Sequence, residues 1–277
     1  MEVKMENVLE MFNLKGKTAV IPGGAGILGS KIARGLGKAG AKIAIGDIAN
    51  ADKVAEELKK ENIEAKAYFI DVLDKNKIES ACKEIIKDFG KIDILLNAAG
   101  GNRQDATTSD KQGFFDLPFD ALQKVISINL FGGAILTSQV FGKEMIKNKE
   151  GGSIINISSM AAFRPLTKTI GYSAAKAAVS NFTQWLAIHF AQEYNKNLRV
   201  NAIAPGFFST AQNKYLLYDE KGNLSERGNK IISHTPMGKF GEPEDLIGAC
   251  IWLSSDASKF VTGAVIPIDG GFNAYSV

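Results

Sequence analysis

The amino-acid sequence predicts an α/β fold, a doubly wound parallel sheet of about seven strands with helices on both faces. Three observations predict it. Short apolar runs rich in β-branched residues recur along the chain, each is followed by a longer amphipathic stretch, and the runs are continuously apolar rather than alternating. Continuous runs suit parallel strands covered on both faces. Alternation of strand and helix from end to end implies right-handed crossovers within one sheet.

The predicted strands, in order, are 18–23, 42–47, 65–71, 92–100, 152–159, 198–206 and 264–271, each bounded by Gly, Asp, Asn or Pro. Between them lie helix patterns. Residues 28–39 place Leu28, Ile32 and Leu36 on one face, and Gly40 supplies a stop. Residues 51–61 and 75–89 are charged and amphipathic, and 119–148 reads as one long helix in which Gly132 and Gly133 are expected to mark a close contact. Residues 172–194 carry Val179, Phe182, Leu186 and Phe190 on a stripe, and 243–254 opens with Pro243 near a helix start. No linker, repeat or low-complexity segment divides the chain, so residues 1–277 are expected to form one domain. The exception is 207–242, polar and without strand pattern, which is longer than a scaffold connection requires and is expected to be a substrate-binding insertion or lid.

Composition excludes several classes. The 33 Lys and Arg against 30 Asp and Glu give a net charge of +3, too little to make nucleic acid the main partner. Cys82 and Cys250 cannot form a disulfide scaffold, and with only His189 and His234 no metal site is expected. The first residues lack an uncharged core segment and no run of 18 uncharged apolar residues occurs, so neither a signal peptide nor a membrane partner is expected. Free thiols without an export signal point to the cytoplasm.

The excess of glycine has a focus. Gly24, Gly26 and Gly29 satisfy GxGxxG directly between the first strand and the first helix. Glycines there let backbone approach a pyrophosphate, and the helix N-terminus offers free N–H groups, so a Rossmann-type NAD(P) site is expected, with Gly23, Ile27 and Leu28 in the same loop. Asp47 ends the second strand 18 residues after Gly29, near the spacing of an acid that accepts from ribose hydroxyls. It would repel a 2′-phosphate, and Ile48, Ala49 and Asn50 supply no cation, so NAD (NADH) is preferred over NADP.

Tyr172 and Lys176 fall one helical turn apart if 172 lies in a helix start. A tyrosine with a reference pKa of about 10 needs help to exchange protons near neutrality, and a nearby ammonium favours its anion. Ser159, at a strand end, can hydrogen-bond a substrate oxygen. His189, Cys82 and Cys250 sit in helix patterns and read as packing residues; His234 reads as a surface, packing or lid residue.

The glycine loop, Asp71-Val72, Asn97-Ala98-Ala99-Gly100, Asn129, Ser159, Tyr172-x-x-x-Lys176 and Pro205-Gly206 together resemble the short-chain dehydrogenase/reductase family, over residues 14–275. The loop departs from that family's TGxxxGxG: Pro22 stands in the Thr place and Ile27 in the middle Gly place, which puts loop geometry in question. The resemblance implies that Asn129, Ser159, Tyr172 and Lys176 are catalytic, Asn129 by holding a proton-relaying water, and that Lys176 binds nicotinamide ribose. It implies that Asp71 and Val72 meet adenine. Asn97, Ala98, Ala99 and Gly100 support the adenine-ribose side or serve the sheet alone. Pro205, Gly206, Phe207 and Thr210 meet the nicotinamide end. It also implies a homotetramer built on the long helices and C-terminal tail.

The segments 100–108, 158–168, 180–191, 204–213 and 234–246 resemble the D-mannonate oxidoreductase, or fructuronate reductase, branch. The implied substrate is a small anionic sugar acid, D-fructuronate reduced to D-mannonate. Its carboxylate needs a cation, with Arg103 and Arg164 as candidates beside Ser159 and Tyr172, and Gln212 and Asn213 as hydroxyl partners. Phe207 and Phe208 keep open an apolar channel and a 3-oxoacyl substrate. A gluconate-type polyol dehydrogenase is a further alternative, and a non-catalytic dinucleotide-binding module is the alternative of another class.

Overall fold

The computed structural model describes residues 7–210 and 214–276, those at 215 and 216 by backbone alone. Among them, seven strands form one sheet: β1 (Thr18–Pro22), β2 (Lys42–Asp47), β3 (Ala65–Phe69), β4 (Ile94–Asn97), β5 (Gly152–Ile157), β6 (Leu198–Pro205) and β7 (Val265–Ile268). Their order is β3-β2-β1-β4-β5-β6-β7 and every pairing is parallel. The order reverses between β1 and β4, which opens a crevice at their C-terminal ends where such sheets bind ligands.

Period-two side-chain alternation explains why the strands read as continuously apolar. Ala19 and Ile21 of β1 face one hydrophobic layer, with Ile43 and Ile45, while Val20, Ala44 and Leu95 face the other. The first layer is closed by helices α1 (Ile27–Lys38) and α2 (Ala51–Lys60), through Ile32, Leu36, Val54 and Leu58. The opposite layer is closed by α3 (Lys75–Phe89), with Ile78 and Ile85 fully buried.

The segment expected as one long helix is not uniform. It runs as α4 (Phe119–Ile126), a π-helical stretch Ser127–Leu136, and α5 (Thr137–Met145). The widened turns lie where Gly132 and Gly133 pass the backbone of β3 and β4 connections: an added methyl at Gly132 would meet the Val72 carbonyl at 2.8 Å and at Gly133 the Ala99 carbonyl at 2.3 Å. The close contact expected of this glycine pair is therefore present. By length and composition Phe119–Met145 also qualifies as a membrane-crossing helix, with mean hydropathy 1.5, but 56% of that window is buried inside the molecule. Val140, Phe141 and Met145 pack in the same apolar layer as α3 and α6 (Ile170–Glu193).

The insertion 207–242 holds elements that the sequence pattern did not reveal, α7 (Lys214–Leu217) and α8 (Glu226–Ser233). It builds its own apolar cluster from Leu217, Ile231 and Phe240, packed with Phe207 and Phe272. Helix α9 (Ile247–Ser254) follows a 3-10 turn opened by Pro243 and returns the chain to the first layer through Cys250 and Leu253. Burial pushes the thiols of Cys82 and Cys250 up, to about 11 and about 12, so both are unreactive packing groups.

Candidate active site

The glycine loop follows β1 without distortion from Pro22. Gly23 has φ +77°, and a methyl there would lie 2.4 Å from the Ala99 nitrogen; one at Gly29 would lie 2.4 Å from the Gly23 carbonyl. These two positions require glycine, one to cross β4 closely and one to fold the turn under α1. In place of the hydroxyl that Pro22 lacks, the N–H groups of Gly23 and Gly24 donate to the Gly46 carbonyl at 2.8 and 3.0 Å. Helix α1 starts at Ile27 behind Gly26, which contributes no side-chain cap. Its first-turn N–H groups, those of Ile27 and Leu28 included, thus face outward without a side-chain acceptor, as an anion-binding terminus requires.

Asp47 ends β2 against this loop. One carboxylate oxygen accepts from Ile48 N–H at 2.8 Å and the other from Ala25 N–H at 3.1 Å. Ala49 N–H also reaches the first oxygen at 3.4 Å, and with about four lone-pair positions the carboxylate retains acceptor capacity for a ribose hydroxyl. A cavity of about 110 Å³ beside it is lined by Asp47, Ile48, Asn50, Asp52 and Phe69, two acids and no base. Asp71 accepts from Leu73 N–H at 3.1 Å and Val72 is buried at the foot of Gly132.

Asn97 is 2% exposed and spends its amide on Asn156 and Ser138, at 2.8 and 3.2 Å. These bonds tie β4 to β5 and α5, while its Oδ1 is buried without a hydrogen-bond partner. Ala98 N–H donates to the Pro22 carbonyl at 3.0 Å, which completes the floor of the crevice with Ala99 and Gly100.

The proposed reactive groups converge across β5 and α6. Ser159 caps the 3-10 turn after β5, and its hydroxyl accepts from Ala161 N–H at 3.1 Å. That bond leaves the serine proton as donor, and the Ser159 hydroxyl favours the anion of the Tyr172 phenol. Ser158 points the other way, to the Lys176 carbonyl and Ser180 at 3.1 and 2.7 Å, and seats α6 on the sheet. Helix α6 begins at Ile170, so Tyr172 occupies its first turn and Lys176 the next. Lys176 is 4% exposed, donates to the Ile157 carbonyl at 2.7 Å, and lies 5.6 Å from the Tyr172 ring centroid. Asn129, in the π-helical stretch, donates to the Gly101 and Val125 carbonyls at 2.7 and 2.8 Å and accepts from Gly101 N–H at 3.1 Å. A methyl added at Gly100 would meet Asn129 Oδ1 at 2.6 Å and Lys176 Nζ at 3.4 Å, so both groups border one point.

Two electrostatic expectations change. Burial pushes the Tyr172 phenol above the ordinary tyrosine value, with the Ser159 hydrogen bond pulling the other way. Burial lowers the Lys176 ammonium to about 8. The amine bonds a backbone carbonyl rather than the phenol, so burial favours the neutral form of both groups. The Asn129 side chain, for its part, uses both amide donors and one acceptor position of Oδ1 to hold Gly101 and the π-helical turn.

The nicotinamide-end segment follows β6. Gly206 N–H donates to the Ile268 carbonyl at 2.9 Å, and a methyl there would lie 2.6 Å from Asp269 Cβ. Phe207 stacks edge-on with Phe272 at 5.1 Å, whereas Phe208 is 6% exposed and belongs to the core, so the expected pair of channel phenylalanines is reduced to one. The Thr210 carbonyl accepts from Lys214 N–H at 3.0 Å. Gln212 and Asn213 lie outside the described residues. Arg103 is engaged bidentately by Asp105 of its own loop, at 2.9 and 2.8 Å, and must exchange that partner before it can bind a substrate. Arg164 lines a cleft with Met160, Phe207, His234 and Phe272. The sequence reading missed that α8 and the C-terminal tail form the far wall of this cleft; Ser225, whose hydroxyl caps α8 on Gly228 N–H at 3.0 Å, was the available signal.

Comparison with known proteins agrees with this arrangement. The chain is 49% identical over 276 residues to an uncharacterized oxidoreductase of Bacillus subtilis named UxuB, covering 95% of this chain and 97% of that protein. It is 36% identical over 264 residues to the 5-keto-D-gluconate 5-reductase of Escherichia coli K12, covering 95% and 97%. A Haemophilus influenzae protein provisionally called a D-mannonate oxidoreductase, solved with bound NAD, superimposes with a TM-score of 0.90 at 44% identity, covering 98% and 99%. A gluconate 5-dehydrogenase of Burkholderia cenocepacia, solved with NADP and tartrate, gives a TM-score of 0.85 at 31% identity, covering 98% and 100%. A family model described as enoyl-(acyl carrier protein) reductase matches residues 24–273. The glycine crevice, the Ser159–Tyr172 pair and these relatives together establish that the chain belongs to the short-chain dehydrogenase/reductase family.

Proposed function

We propose that this protein interconverts the carbonyl and alcohol forms of a sugar acid with a nicotinamide dinucleotide, NAD in preference to NADP, and that D-fructuronate and D-mannonate are the pair. The observation that carries the reading is the convergence of Ser159, at the end of β5, with Tyr172 and a buried Lys176 on successive turns of α6, beside the glycine crevice. Sugar-acid chemistry is supported by the relatives named for gluconate and mannonate.

The residues fit a dinucleotide. Gly23, Gly24, Gly26 and Gly29 leave a bare backbone cradle under the open α1 terminus for the pyrophosphate. Asp47 would take the adenine ribose, Ile48, Asp71 and Val72 the adenine edge, Lys176 the nicotinamide ribose, and Pro205, Gly206, Phe207 and Thr210 the nicotinamide end. When bound, the nicotinamide exchanges a hydride with the substrate carbon.

The protein's own groups handle the oxygen. Ser159, its acceptor side fixed by Ala161 N–H, donates to the oxygen on which negative charge develops. In the reducing direction Tyr172 delivers the proton to that oxygen. Lys176, held at the edge of protonation near pH 8, replenishes it and stabilises the phenolate left behind. Asn129 holds Gly100 and Gly101 against Lys176. The insertion 207–242 closes the substrate cleft from the far side, with α8 as its wall.

The test is a panel of D-fructuronate, 5-keto-D-gluconate and a 3-oxoacyl thioester with NADH and NADPH. D-fructuronate with NADH is expected to give the highest kcat/KM; a preference for the thioester would replace the reading with that of an acyl reductase. Asp47 sets the cofactor preference. Asp47→Ser with Ile48→Arg removes a charged acceptor worth about 1.5–3 kcal/mol and adds a phosphate partner. A fall of roughly 10- to 100-fold in kcat/KM for NADH, with a gain for NADPH, is expected. Unchanged NADH kinetics would remove Asp47 from the ribose site.

A further inference from the structure

A cleft next to Ser159 gathers charged side chains from two parts of the chain. Met160, the residue after Ser159, forms one wall of a cavity of about 590 Å³. Arg164 and Lys168 come from the same turn region, Arg227 comes from α8 and His234 from just beyond its end. Among the described residues no carboxylate lies within ion-pair distance of Arg164, Lys168 or Arg227, although Lys230 beside them is paired with Glu226 at 2.6 Å. Three cations without an ion-pair partner, from two separate elements, therefore face one cavity beside Ser159, whose one lining carboxylate, Glu226, is paired with Lys230.

Both sides are braced. Arg164 Nε donates to the Asn273 carbonyl at 2.9 Å, using one of five guanidinium donors and fixing the plane of the rest. The tail residue Asn273 is itself set by Asp269, which accepts from its N–H at 2.8 Å. Helix α8 is anchored by Ile231 in the insertion's apolar cluster and by the Ser225 cap. His234, just beyond α8, packs edge-on against Phe272 and Tyr275 at 4.5 and 5.0 Å, which ties α8 to the same tail that holds Arg164. The tail thus couples the two arginines, and planar forks of this kind match a carboxylate bidentately.

We propose that Arg164 and Arg227 form a two-sided clamp for the carboxylate of the substrate, with Arg227 delivered by α8. The assignment rests on the sugar-acid reading above. It deepens that reading by naming α8 as the element that tells a sugar acid from the corresponding neutral sugar.

Arg164→Gln, Arg227→Gln and the double variant test it, with D-fructuronate compared against D-fructose, which has a hydroxymethyl group in place of the carboxylate. Both positions are exposed, so folding is expected to be unaffected. KM for D-fructuronate is expected to rise about 10- to 100-fold in each single variant, with kcat within about threefold. KM for D-fructose and for NADH stays unchanged, and Arg227→Lys restores part of the loss. Wild-type KM for D-fructuronate in both single variants overturns the clamp, as does an equal rise for D-fructose. If the wild-type enzyme turns over no sugar acid, the sugar-acid reading fails separately. The clamp is then judged by calorimetric titration of D-gluconate into the NAD-saturated protein: heat lost in Arg227→Gln upholds a carboxylate site, and equal heat in wild type and variant overturns it. Loss confined to an acyl-carrier-protein substrate also overturns it.

Discussion

Tyr172→Phe is expected to lower kcat by about 10³-fold, within the range of roughly 10²- to 10⁴-fold for loss of a positioned proton donor, while the KM for NADH stays near wild type. The substitution removes one oxygen and leaves the ring packed on the cluster of Ala106, Ala121 and Val125. Ser159 keeps its bond from Ala161 N–H, so the serine remains aimed at the substrate oxygen. Residual turnover should therefore come from that donor and from positioning alone, and Ser159→Ala should cost less, about 10²-fold. Single-turnover kinetics with D-fructuronate and NADH separate the chemical step from binding. Turnover indistinguishable from wild type would mean that the chain binds a dinucleotide without using Tyr172, the reading of a non-catalytic module.

Lys176→Met is expected to abolish activity and yet to stabilise the protein at neutral pH relative to its effect at high pH. The amine is 4% exposed with one backbone acceptor, and burial lowers it from 10.5 to about 8. Below pH 8 both folded and unfolded chains carry the proton, and the folded chain bears the cost of a buried charge. Between pH 8 and 10.5 the folded lysine is neutral while the unfolded lysine remains charged, so the unfolded state binds more protons and wild-type stability rises with pH. The shift corresponds to on the order of 3 kcal/mol. Methionine does not titrate. The stability of Lys176→Met relative to wild type should accordingly decline by about that amount from pH 7 to pH 10.5, several degrees in Tm. Thermal unfolding of both proteins at the two pH values measures it. A constant difference would show that Lys176 is not held near its point of deprotonation. The same property predicts that reduction slows as pH rises through about 8, because the group that resupplies the proton is lost.

These two residues show why buried polar groups merit their cost here. Lys176 is retained in an apolar setting that penalises its charge, which is the arrangement that makes an amine exchange protons near neutrality. Asn129 makes a parallel case. Its three hydrogen bonds to Val125 and Gly101 stabilise a π-helical turn and a loop, and the function of that stability is to keep Gly100 against the amine.

The sequence by itself determined the sheet, the order of its elements and the chemistry of its crevice. Apolar runs and glycine or aspartate stops placed all seven strands, GxGxxG and Asp47 placed the glycine loop and the acid against it, and the four-residue spacing put Tyr172 and Lys176 on one helix face. Such features are local, since hydrophobic periodicity and backbone freedom act over a few residues. Tertiary structure decided what depends on distant partners. It turned 119–148 from one α-helix into two separated by a π-helical stretch, because Gly132 and Gly133 must pass the backbone near Val72 and Ala99. It sent Phe208 to the core and brought Arg164, Arg227 and the C-terminal tail around one cleft. Arg164 and Arg227 are far apart along the chain, and only the folding of α8 makes them line one cleft.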